Sequence, residues 1–173
     1  MVWVEGPSEL IYLRYWIECV DSSVVEGIHY SVMFYGGRLL SHLSGDGEEQ
    51  DESEKEEVHK FIQLPSLNRN SLIIMDSDKT KEDDEINETK KRIKKEFATT
   101  TGYVWITLGR EIENYLKYND IQDAVKANHP KIYEGPDKDG QYDHAFYFKR
   151  TPKSGENEGS IEEKADKVSI AKW

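Results

Sequence analysis

Carboxylates recur in three tight groups along this sequence. Glu5 and Glu9 lie one helical turn apart near the start, Asp76-Ser77-Asp78 forms a D-x-D, and Arg110-Glu111-Ile112-Glu113-Asn114 carries an E-x-E. Each group follows a short apolar stretch: Val2–Val4, Ser71–Met75 and Tyr103–Thr107. Acids gathered on one rim repel, so a hard divalent cation is their natural partner. An all-oxygen set without His or Cys favours magnesium, manganese or calcium over zinc. Residues two apart at a strand end point the same way, so Asp76 and Asp78 are expected to face one ion. Glu5 comes from a neighbouring strand and Glu9 from the turn beyond it, which widens the cage for a second ion. Two ions held close together form a clamp for attack on a phosphodiester.

Each group also has a plainer role. Glu9 in a first helical turn complements the helix dipole, and Asp78 or Thr80 can cap the following helix. Glu111 and Glu113 can be solvated helix residues. The convergence of three strand ends argues for the cation.

The elements needed to position these groups are legible. Val2–Val4 reads as a strand, followed by a helix from Gly6-Pro7-Ser8-Glu9 to about Val20, with proline suited to its first turn. Ile28–Tyr35 reads as a second strand and Leu39–Leu43 as a short helix or turn. Ser71–Met75 is an apolar run of the kind buried in a parallel sheet, and a charged helix is expected over about Lys81–Phe97. Tyr103–Thr107 is a fourth strand, Arg110–Tyr118 and Ile121–Ala127 look helical, and Asp143–Lys149 is a further strand. Strand–helix alternation predicts an α/β fold with a mainly parallel sheet and helices on both faces. Ligands of such sheets bind beyond the carboxyl ends of the strands, where the acids fall.

Composition narrows the classes. The 173 residues carry a net charge of −11, which argues against gripping nucleic acid by bulk electrostatics but not against reaching it through metal ions. Residues 45–60 hold eight acids against two lysines, and read as a mobile acidic insertion. Cys19 is alone, which excludes a disulfide framework and fits a cytoplasmic protein. The histidines at 29, 42, 59, 129 and 144 show no ligand spacing. No apolar run approaches the roughly 20 residues of a membrane helix, so no membrane partner is expected. The polar stretch 151–160 reads as a linker to a helical segment over 161–173 that belongs to the same domain as 1–150.

Val4-Glu5-Gly6-Pro7-Ser8-Glu9 followed by Asp76-Ser77-Asp78 resembles the Toprim signature, a glutamate after the first strand and D-x-D after the third. Four further blocks resemble the Toprim nuclease domain of OLD-family (overcoming lysogenization defect) endonucleases. They are Glu26-Gly27-Ile28-His29-Tyr30, the run from Met33 through Gly36-Gly37-Arg38-Leu39-Leu40 to Leu43, Leu67-Asn68-Arg69-Asn70, and Gly109-Arg110-Glu111-Ile112-Glu113-Asn114-Tyr115. The likeness spans about Val2 to Tyr118.

The resemblance implies a Toprim-type, Rossmann-like catalytic domain that cleaves or nicks DNA with two divalent ions, Mg2+ or Mn2+. Glu5, Asp76 and Asp78 match the core acids, and Glu9 the second acid one turn later. Of Glu111 and Glu113, Glu113 is preferred, because two residues apart on a helix point about 200° apart. The family also uses a lysine near the end of the domain, for which Lys167 is the candidate and Lys149 the alternative. Arg38 can contact a phosphate or pair with an acid, and Arg110 adds local attraction for DNA. Family members carry an ABC-type ATPase and a phage-defence role. This chain has no G-x-x-x-x-G-K-[ST], and Met1 lies almost against the first strand, so an excised nuclease domain of a protein that dimerises through its ATPase is expected. The alternative is a non-catalytic metal-binding regulatory or dimerisation module that needs the ATPase for activity.

Overall fold

A computed structural model describes residues 1–35, 70–156, 159 and 161–173. Leu39–Leu43, Arg38, His42, Arg69 and the acidic stretch 45–60 lie outside the described residues. Four short strands, β1 (Val2–Val4), β2 (Val32–Phe34), β3 (Leu72–Met75) and β4 (Tyr103–Ile106), form an all-parallel sheet of order β2-β1-β3-β4. The period-two alternation of a strand sends neighbouring side chains to opposite faces. Val4 and Ile74 pack under Tyr12 and Leu13 of helix α1 (Pro7–Val20), whereas Ile73, Met75 and Val104 pack under Ile93 and Phe97 of helix α2 (Glu88–Phe97). The fold is therefore α/β and Rossmann-like, with helices on both faces of a parallel sheet. Phe97 is 1% exposed, and its truncation to alanine is expected to cost about 3–5 kcal/mol.

Helix α2 starts later than Lys81 because Asp84 takes the first donors. Its carboxylate accepts the N–H groups of Thr80 and Lys81 at 2.8 and 3.1 Å, closing a local turn. Asn87 then caps the helix by accepting from the N–H of Thr89 and Lys90, so neither Asp78 nor Thr80 is the cap.

A second sheet was not expected. Strands β5 (Tyr133–Pro136), β6 (Tyr147–Arg150) and β7 (Ile161–Lys164) pair antiparallel in the order β5-β6-β7. The strand expected over Asp143–Lys149 is β6, outside the parallel sheet. The polar stretch 151–160 joins two paired strands, and the 161–173 segment opens as β7 before helix α4 (Lys167–Ala171). Helix α3 (Tyr118–Asn128) supplies Ile121, Ala124 and Val125 to a core with Phe146, Phe148 and Ile170. Ala171 packs against the cluster under α1. Helix α4 thus touches both cores, which brings its first residue, Lys167, to the acid rim.

Candidate metal centre

The site begins where β3 ends. Asp76 is 6% exposed, and its backbone N–H donates to a Glu5 carboxylate oxygen at 3.1 Å. Its own Oδ1 accepts the N–H of Ile112 at 2.7 Å, while its carbonyl accepts Lys90 Nζ at 2.8 Å. Ser77 locks the next loop by donating to the Gly109 carbonyl at 2.6 Å. Asp78 then takes a left-handed backbone, φ 59°, a conformation that aspartate tolerates better than most residues. Its carboxylate pairs with Lys90. Asp76 and Asp78 therefore do not present their carboxylates together as strand neighbours: the strand stops at Met75, and the turn sends Asp78 toward solvent.

Asp76 instead meets the E-x-E. One carboxylate oxygen from each of Asp76, Glu111 and Glu113 lies within 4.8 Å of the others, with all three residues buried. The 200° divergence expected on a helix does not apply. Glu111 is the extended N-cap (φ −137°, ψ 166°) of a 3-10 helix over Ile112–Tyr115, so both acids reach one point. Lys167 Nζ bridges them, 2.9 Å from Glu111 Oε2 and 3.0 Å from Glu113 Oε2. The other oxygen of Glu111 accepts the Ala145 N–H at 3.0 Å. Among the described residues, Glu113 Oε1 is buried without a hydrogen-bond partner.

Glu5 and Glu9 complete the rim, both buried. Ser8 Oγ donates to Glu9 Oε2 at 3.1 Å. Burial raises the pKa of Glu5 to about 7, against the pull of Lys90 and with repulsion from Asp78. Burial also raises that of Glu113 to about 7, although Lys167 opposes it. Asp76 is held well above the ordinary aspartate range by burial and the charge of Glu5. Burial acts upward on Glu111 too, but Lys167 outweighs it and holds the group below its usual value. Lys167 is desolvated, yet Glu113 and Glu111 together drive its pKa upward.

This arrangement fits a divalent cation. The donors are oxygens, the protons of Glu5 and Glu113 leave near neutral pH, and Glu113 Oε1 needs a positive partner. Asp76, Glu111 and Glu113 can hold the ion, with Glu5 and Glu9 beside them. Among the other expected residues, Lys149 is exposed on β6, opposite Glu162. Arg110 immediately precedes the E-x-E, its Nε buried and without a hydrogen-bond partner among the described residues.

Lys90 was not anticipated. It is fully buried, and the signal lay in its spacing: with Ile93 and Phe97 it repeats on the i, i+3, i+7 stripe that a helix turns inward.

No family model, no curated protein and no solved structure matches the chain. Among the described residues, no helix is long and apolar enough to cross a membrane.

Proposed function

We propose that the chain is a metal-dependent phosphodiesterase domain that nicks or cleaves DNA, a Toprim nuclease of the OLD type. The observation that carries this is the meeting of Asp76, Glu111 and Glu113 at the carboxyl rim of a parallel sheet. Glu5 and Glu9 lie alongside. Bound Mg2+ or Mn2+, one ion or two, would polarise the phosphate and make water acidic enough to attack near neutral pH.

The chain's own groups divide the remaining work. Asp76 and Glu113 hold cation charge, and Glu113 offers its unpartnered Oε1. Glu5, buried at the rim and held by the Asp76 N–H, is the candidate to take the proton of the attacking water. Lys167, fixed by Glu111 and Glu113, offsets charge on the phosphate as it builds. Asp78 and Lys90 set the edge of the site. An ABC-type ATPase is the partner this reading implies.

The test is plasmid cleavage at low salt with Mn2+, Mg2+, Ca2+ or chelator, beside Asp76→Ala. Metal-dependent nicking that the substitution abolishes supports a self-sufficient nuclease. Mn2+ binding without cleavage supports the metal-binding module that needs its ATPase. Neither binding nor cleavage overturns the catalytic reading.

A further inference from the structure

An open cleft of about 220 Å³ adjoins the acid rim on its Arg110 side, between the loop after β4 and the 137–147 segment. One wall carries two rings, His144 and Tyr147, with centroids 5.2 Å apart and planes tilted by 32°. Both are half-buried, so the pair keeps an accessible side. Arg110 also lines the cleft. Its guanidinium puts a permanent positive charge at the cleft wall, which an anionic group on a ligand can neutralise. Asp137, Asp143 and Glu162 line it as well. These three acids outnumber Arg110 and Lys138, which lines the cleft too, so they repel a run of phosphates but can accept hydrogen bonds from the edge of a base. A single anionic group joined to a flat ring with N–H donors meets all three features.

The cleft is fastened to the metal centre. The Arg110 N–H donates to the Gln141 carbonyl at 3.0 Å. Asn114 Nδ2 donates to the carbonyls of Gly140 and Asp143 at 3.3 and 3.0 Å. The Ala145 N–H donates to Glu111 at 3.0 Å. A ligand in the cleft thus sits at a fixed offset from the cation-holding carboxylates.

We propose that this cleft is a nucleotide subsite. It takes one unstacked nucleotide of the substrate strand, with its base on the His144–Tyr147 pair and its phosphate on Arg110. The inference rests on the phosphodiesterase reading and deepens it. In a duplex the faces of a base are covered by its neighbours, so such a subsite selects single-stranded or locally unpaired nucleic acid.

The experiment is fluorescence anisotropy with a labelled single-stranded oligonucleotide and the matching duplex, in Ca2+ at low salt. Tyr147→Ala is expected to weaken single-strand binding about tenfold or more, the scale of one lost base–aromatic stack. Duplex binding and Mn2+ affinity stay unchanged, and Tyr147→Phe restores the single-strand affinity. Independently, Arg110→Gln lowers single-strand affinity and its salt dependence by about one counter-ion. Equal losses on single strand and duplex, or no loss with either variant, overturn the subsite. If the wild type still cleaves duplex with Mn2+ in that case, the nuclease reading stands. A wild-type chain that binds neither form of DNA overturns both.

Discussion

Lys90 and Asp78 form an unequal ion pair: the lysine side chain is 1% exposed and the aspartate 53%. Removing one partner is therefore unlike removing the other. Lys90→Met leaves Asp78 free to rehydrate and puts an apolar chain on an apolar stripe, but strips the buried Asp76 carbonyl of its donor, so a loss of about 1–2 kcal/mol is expected. Asp78→Asn leaves a buried ammonium short of its counter-charge, and a loss of roughly 2–4 kcal/mol is expected. Urea unfolding of both variants checks the order, and a larger loss from Lys90→Met would refute the account.

Glu113 combines full burial with an oxygen that nothing among the described residues satisfies. Such a group is retained at a cost to the fold, as sites of function often are. Glu113→Gln removes a buried charge but also one of the two counter-charges of Lys167, so the melting temperature of the metal-free protein is expected to move by no more than a few degrees. The same change is expected to reduce Mn2+ affinity at least tenfold by calorimetry. A variant that keeps its Mn2+ affinity would show that Glu113 does not hold the ion.

The legible parts of this fold are those where apolar runs end on acids. Val2–Val4, Ser71–Met75 and Tyr103–Thr107 announced the parallel sheet and its rim together, because buried strands are short, continuous and apolar. The second sheet hid for the opposite reason. β5 is Tyr-Glu-Gly-Pro and β7 is Ile-Glu-Glu-Lys, with too little apolar alternation to read as strands. The pairing of Glu111 with Glu113 escaped a helical reading because the first of them is an extended cap. Lys167 reaches the site through α4, whose contacts with both cores no local pattern reveals.

Glu5 and Glu113 give the protein a pH dependence with a definite sign. Both have folded pKa values near 7, raised from 4.5. The folded state then binds more protons than the unfolded chain between about pH 4.5 and 7, so rising pH destabilises the metal-free fold. Metal binding runs the other way, because these carboxyls must lose protons first. Mn2+ affinity is expected to climb from pH 6 to pH 8 while metal-free stability falls. Calorimetry in buffers of different ionisation enthalpy should show proton release on binding, and a flat affinity profile would contradict the assignment.

Gly109 is where the two halves of the site are pressed together. A Cβ there would lie 2.8 Å from the Gln141 carbonyl oxygen and 2.9 Å from Asn114 Cβ. The first contact is with backbone, which cannot swing aside as a flexible side chain can. Gly109→Ala must therefore push the 140–145 loop off the loop after β4. The Ala145 N–H would leave Glu111, and Lys167 would lose a fixed anchor. A loss of about 1–3 kcal/mol is expected from this overpacking, with weaker Mn2+ binding in proportion. Gly135→Ala is the control, since a Cβ at that position meets nothing within 4 Å. If Gly109→Ala unfolds and binds Mn2+ like Gly135→Ala, the docked loop does not support the metal centre, and the coupling between cleft and carboxylates fails with it.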